Sequence, residues 1–133
     1  MDQNRTPFAL VVDDDMMILM DACAILEEAG FRPLEATTAD EALDVLAQYD
    51  GQVQLLFTDV QMPGSRDGFA LARETAARWP HIKILVASGN LKPAPDDLPE
   101  GAMFLGKPFS AELVHTRLKE LLPDGQKPGP LKD

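Results

Sequence analysis

Four places in this chain set a charged or hydroxyl side chain directly behind a short apolar run. Asp13, Asp14 and Asp15 follow Phe8 to Val12, Asp59 follows Val53 to Thr58, Ser88 follows Ile82 to Ala87, and Lys107 closely follows the run that ends at Leu105. Taken singly, an aspartate after a strand is most simply a helix cap. Taken together, the four would converge if the apolar runs were neighbouring strands. Two carboxylates about 4 Å apart repel by about 4 kcal/mol at an effective dielectric of about 20. A group of them therefore needs positive charge. Lys107 supplies one unit, and a hard divalent cation, which prefers oxygen ligands, suits the rest. A carboxylate in that setting can attack phosphorus, because cation and lysine neutralise the charge spread over the moving phosphoryl oxygens. The Ser88 hydroxyl can donate a hydrogen bond to one of them.

The intervening sequence supplies the elements that must position these residues. Phe8 to Val12, Val53 to Thr58 and Ile82 to Ala87 are almost continuously apolar, as strands buried on both faces should be. Phe31 to Ala36 and Ala102 to Leu105 read as two further strands, and Pro33 suits the first of these to a sheet edge. Met16 to Ala29 reads as a helix stopped by Gly30. Thr38-Ala39-Asp40-Glu41 is a capping-box pattern opening a helix that ends near Tyr49. Phe69 to Trp79 forms a third helix closed by Pro80. Ser110 caps a last one, with Leu113, Val114, Leu118, Leu121 and Leu122 facing inward. Met16, Met17 and Met20, at helical spacing, are expected to be partly core. Strands alternating with helices predict an α/β fold with a parallel sheet covered on both faces. In such sheets the binding crevice lies beyond the carboxyl ends of the strands, where the acidic residues, Ser88 and Lys107 fall. Asn90 to Gly101 holds Pro93, Pro95 and Pro99. Interior proline costs about 3 kcal/mol, so any helix there is short or irregular.

Composition narrows the function classes. The chain has 133 residues, enough for one domain, and its 45% apolar share excludes a disordered chain. A formal net charge of −10 disfavours nucleic acid and anionic membrane as partners. The single cysteine, Cys23, fits a reducing cytoplasm, and its apolar helical setting marks it as a buried structural thiol. There is neither a signal peptide nor an apolar run of membrane-spanning length. His81 and His115 lack ligand spacing, Trp79 reads as a helix-end packing residue, and PGSRDG reads as a turn, not a phosphate loop. The expected organisation is a polar leader over 1–6, one domain over 7–122 and a flexible tail over 123–133.

VVDDD, TDVQMPG, ASG and FLGKPF, in that order, resemble the receiver domains of bacterial response regulators, over about residues 7 to 122. The resemblance implies a flavodoxin-like, doubly wound five-stranded parallel sheet of order 2-1-3-4-5, a member of the family being a standard example of that order. It implies that Asp59 takes a phosphoryl group, with Mg2+, from a sensor histidine kinase or a histidine phosphotransfer protein. Asp14 matches the acid that binds the metal directly, and Asp13 the one that acts through water or by shaping the field. Gln61 matches the position whose backbone carbonyl completes the metal shell. Ser88 and Lys107 match the hydroxyl and lysine that bind the phosphoryl group, while Ser88 and Phe104 match the switch pair. The Lys107-Pro108 bond matches one that is usually cis. Asp15 is an extra acid whose expected job is to cap the first helix.

Three departures stand out. MPGSRDG holds one residue more than the commoner loop, the proline-rich Asn90 to Gly101 replaces a helix, and the switch aromatic is Phe104 where tyrosine is commoner. Two other readings fit less well. An aspartate-nucleophile phosphatase would carry a D-x-D pair on its first strand, with a cap domain. A pseudo-receiver would lack an acid, the hydroxyl or the lysine, and none is missing. The expected protein is thus a bacterial, cytoplasmic signalling module and not an enzyme with external turnover, catalysing only its own phosphorylation and slow autodephosphorylation. It is expected to be a stand-alone domain, a monomer or weak phosphorylation-dependent dimer, whose phosphorylation alters a protein-binding surface.

Overall fold

The computed structural model describes residues 7–61, 67–89 and 97–123. The expected leader, most of the expected tail, Met62-Pro63-Gly64 and the stretch 90–96 lie outside the described residues. The elements run β1 (Phe8–Val12), α1 (Met16–Glu28), β2 (Arg32–Ala36), α2 (Ala39–Gln48), β3 (Val53–Asp59), α3 (Gly68–Arg78), β4 (Lys83–Ser88), β5 (Met103–Gly106) and α4 (Ala111–Leu121).

The sheet is parallel throughout, in the order β2-β1-β3-β4-β5. β2, which contains Pro33, is an edge strand, where a missing N–H costs least. Because side chains alternate across a strand, each of the three central strands feeds two cores. Ala9, Val11, Leu55, Phe57, Leu85 and Ala87 pack under α1 and α4. Leu10, Val12, Leu56, Ile84 and Val86 pack under α2 and α3. This two-sided burial is why the central strands read as continuous apolar runs.

Local chemistry sets the helix ends. Asp15 caps α1, its carboxylate accepting from Met17 N at 3.0 Å and Ile18 N at 3.2 Å. At the other end Gly30 takes φ +104°, a left-handed value that glycine adopts freely. Phe31 N donates to Leu26 O and Gly30 N to Glu27 O, the paired bonds of a Schellman stop. Thr38 caps α2 by accepting from Glu41 N at 3.1 Å. The Glu41 carboxylate reaches back to Thr37 N at 2.7 Å, one residue earlier than a capping box places it. Between β4 and β5 the described residues 97–102 hold turns and a bend but no helix.

One expectation is overturned. Met16, Met17 and Met20 are 54%, 82% and 64% exposed and lie outside the core. The inner face of α1 is set by Leu19, Ala22, Cys23, Ile25 and Leu26, whose three- and four-residue spacing turns the methionines outward. His115, by contrast, is satisfied, its Nε2 lying 3.0 Å from Ile25 O. Trp79 closes α3 as a buried residue and donates from Nε1 to Asp50 at 2.8 Å.

Candidate phosphoryl-acceptor site

Strand order reverses between β1 and β3, and there the acidic residues gather. Asp13 stands one residue past β1. It is buried, and its backbone N–H continues the ladder by donating to Ala36 O at 3.1 Å. Asp59 is the last residue of β3, also buried, in register with Ala87. Ser88 is the buried last residue of β4, in register with Gly106. Lys107 follows β5, and its backbone N–H donates to Ser88 O at 3.0 Å, tying the ends of β4 and β5 together. The Lys107-Pro108 bond is cis.

The side chains converge as their positions require. Lys107 Nζ donates to Asp13 Oδ2 at 2.9 Å and to Asp59 Oδ1 at 3.0 Å. The other Asp13 oxygen accepts from Asp15 N at 2.9 Å. Asp13, Asp14 and Asp59 each offer a carboxylate oxygen within 4.8 Å of the others, with Asp14 on the solvent side. Asp15 takes no part in this cluster, since its carboxylate is engaged as the α1 cap. Gln61, two residues past Asp59, is exposed, and Phe104 is half-buried against the α2–α3 core. Ile18, Phe57 and Phe109 form the apolar side of the crevice, with the Phe57 and Phe109 ring centroids 5.4 Å apart.

Electrostatics follow from this crowding. Burial pushes the Asp59 carboxyl above its ordinary 3.8; the bond and charge of Lys107 pull the other way and the nearby Asp13 charge adds to the rise. Burial alone would lower the Lys107 ammonium, but its bonds to Asp13 and Asp59 outweigh this and hold it above 10.5. Burial thus decides the direction for the carboxyl, and the two carboxylate partners decide it for the ammonium. Three carboxylates against one lysine leave excess negative charge. An all-oxygen donor set of this kind fits a hard divalent cation such as magnesium.

Residues 9–119 match the family described as Response regulator receiver domain. The chain belongs to that family. Among its relatives, the sensor kinase CckA of Brucella abortus (strain 2308) is 34% identical over 124 residues, covering 91% of this chain and 13% of that protein. The nitrogen assimilation regulatory protein NtrX of Azorhizobium caulinodans is 34% identical over 107 residues, covering 77% of this chain and 23% of NtrX. The phosphate regulon transcriptional regulatory protein PhoB of Escherichia coli (strain K12) is 31% identical over 118 residues, covering 85% of this chain and 50% of PhoB. This receiver thus spans half or less of the length of these curated relatives. The crystal structure of the receiver domain from the hybrid histidine kinase CckA superposes with a TM-score of 0.74 at 29% identity, covering 86% of this chain and 98% of that one.

The receiver is accordingly a phosphoacceptor module of two-component signalling, of a class that pairs with histidine kinases or phosphotransfer proteins and binds Mg2+ at an acidic pocket. Among the described residues no helix is long and apolar enough to cross a membrane. Two contributors to the site were not singled out from sequence. The Thr58 hydroxyl, fully buried, donates to the Asp59 carbonyl at 2.9 Å. Gly68 abuts the same carbonyl. The Thr58 contact had no distinguishing signal, since a threonine in a strand is common. The glycine opening α3 had one, a small residue just after the capping Asp67.

Proposed function

We propose that Asp59 is the phosphoryl acceptor, receiving the group from a phosphohistidine on a sensor kinase or a histidine phosphotransfer protein. The observation that carries this reading is the bonding of Lys107 Nζ to both Asp13 and Asp59 beside the Asp14 carboxylate. An Asp59 oxygen attacks phosphorus, the P–N bond to the donor imidazole breaks, and that nitrogen keeps the bonding pair. Lys107 holds the acceptor carboxylate and faces the charge on the transferred group, which is worth most in a buried, preorganised site. The Ser88 hydroxyl, at the end of the neighbouring strand, donates to a phosphoryl oxygen.

Asp13, Asp14, Asp59 and the Gln61 carbonyl would hold Mg2+, which when bound supplies positive charge opposite the phosphoryl oxygens. Autodephosphorylation is attack of water on phosphorus, returning free Asp59 and inorganic phosphate. Gln61 and Asn90, each two residues past a site residue, are amides that can orient that water but not deprotonate it; Asn90 lies outside the described residues. The added group carries about −1.5 to −2 charges, enough to draw Ser88 and Lys107 inward. Phe104 then moves into the space Ser88 leaves. The altered surface, on the segment before β5 and on β5 and α4, is read by a protein partner, in the bacterial cytoplasm and with residues 7–122 as the acting domain.

The test is incubation with a phosphodonor and Mg2+ followed by intact-mass measurement. Wild type should gain one phosphoryl group, and neither Asp59→Asn nor wild type in chelator should gain any. Equal labelling of Asp59→Asn would remove Asp59 from this role.

A further inference from the structure

The peptide that bears Asp59 is enclosed on two sides. From one, the Thr58 hydroxyl donates to the Asp59 carbonyl at 2.9 Å. From the other comes Gly68, the first residue of α3, whose N–H donates to Val60 O at 2.8 Å. That bond ties the start of α3 to the residue after Asp59. The approach is so close that a Cβ on Gly68 would collide with the Asp59 carbonyl oxygen. It would also stand 2.8 Å from both the Asp59 carbonyl carbon and Val60 Cα. These obstacles are backbone, so no side chain can swing aside to make room. Gly68 is not among the glycines with positive φ, so what selects glycine here is space and not dihedral freedom.

The helix behind this contact is firmly placed. Asp67 caps it by accepting from Ala70 N at 2.9 Å, and Phe69, Leu71 and Ala72 are buried in the core under α3. The bare Cα of Gly68 is therefore a fixed wall against the Asp59 peptide.

We propose that Gly68 is a positioning residue for phosphoryl transfer, setting where the Asp59 carboxylate stands relative to Lys107, Asp13 and Asp14. The inference rests on Asp59 being the acceptor. A Cβ at Gly68 forces α3 and the Asp59 peptide apart, and a misplacement of about 1 Å can cost about 100-fold in rate.

The test compares initial phosphorylation rates with acetyl phosphate at saturating Mg2+, read by intact mass and divided by the folded fraction from circular dichroism. Gly51 provides a control for general destabilisation. It has φ +82° in the turn before β3, and an added Cβ would meet nothing within 4 Å. Gly51→Ala should lose stability through backbone strain, yet label at the wild-type rate per folded molecule. Gly68→Ala should label at least about tenfold more slowly per folded molecule. Thr58→Val, which keeps shape and removes only the bond to the Asp59 carbonyl, should be several-fold slow. A wild-type rate in folded Gly68→Ala overturns the proposal. If Gly68→Ala yields no folded protein, Thr58→Val decides: a slowed rate supports the proposal, and a wild-type rate overturns it. Labelling of Asp59→Asn would instead reject the acceptor assignment beneath it.

Discussion

Lys107 spans from the end of β5, past β4, to Asp59 at the end of β3, its Nζ 3.0 Å from Asp59 Oδ1. The same ammonium holds Asp13 at 2.9 Å, so one cation joins residues contributed by three strand ends. Replacing it should separate two quantities. Lys107→Ala should bind Mg2+ a few-fold more tightly, because a positive charge that opposes the metal is gone. Its phosphorylation rate should fall by about 100-fold or more, because the charge on the moving phosphoryl group loses a fixed partner. Calorimetric Mg2+ titration and initial labelling rates measure both. Weaker metal binding in the variant would mean that Lys107 chiefly holds the carboxylates in place.

The three consecutive aspartates should separate by role. Asp14 contributes a carboxylate to the cluster, while Asp15 accepts two N–H bonds at the start of α1. Asp14→Ala should weaken Mg2+ binding strongly and leave stability nearly unchanged. Asp15→Ala should do the reverse, retaining the metal but losing about 1 kcal/mol of stability with its cap. Titration and urea unfolding of the two variants check this pattern, and equal losses of metal affinity would contradict it.

The pKa shifts give signed expectations for the metal-free protein. Asp59 is raised above 3.8 by burial, so the fold prefers its neutral form. The stability gained from that preference is full below pH 3.8 and is lost as pH rises through the folded value. Asp59→Asn, a neutral stand-in, should therefore be more stable than wild type at neutral pH in chelator, with the gap closing toward pH 3.8. Lys107 is raised above 10.5 by its two carboxylate partners, so its contribution is full below pH 10.5 and is lost above it as the folded group deprotonates. Urea midpoints across pH measure both. A destabilised Asp59→Asn at neutral pH would show that the Lys107 pairing outweighs the burial of Asp59.

Cys23 should behave as an inert thiol. Burial, then the charge and hydrogen bond of Glu35 and the charge of Glu27, push it from 9.0 up to about 12. Its Sγ lies 3.7 Å from Glu35 Oε2. The fold favours the neutral thiol, so the associated stability is full below pH 9.0 and is lost between there and about 12. Iodoacetamide at pH 9 should label unfolded protein quickly and native protein slowly, since the thiolate is the nucleophile. Glu35→Gln should lower the native thiol pKa and speed the reaction. Identical rates in wild type and Glu35→Gln would remove Glu35 as a cause.

Much of this receiver was decided locally and could be read from the chain. Side-chain alternation with both faces apolar marks the central strands, Thr38 and Ser110 mark helix starts, and Gly30 marks a stop, because each acts within a few residues of itself. The set of chemical residues was legible for the same reason, as polar groups standing at the ends of apolar runs. What the tertiary structure alone decided is how those residues meet. Lys107 bonds Asp59 and Asp13 across sequence separations of 48 and 94 residues, distances that only the packed sheet brings to hydrogen-bond length. The cap role of Asp15 was legible beforehand, but only the fold buried Asp13 against Lys107 and left Asp14 on the solvent side of the cluster. It turned Met16, Met17 and Met20 outward, although their spacing also suited an inner face, because the apolar residues on the other side of α1 already fill the space above the sheet. And it set Gly68 against the Asp59 carbonyl, a contact with no local signature beyond one small residue, because how closely two backbones approach depends on where the whole helix packs.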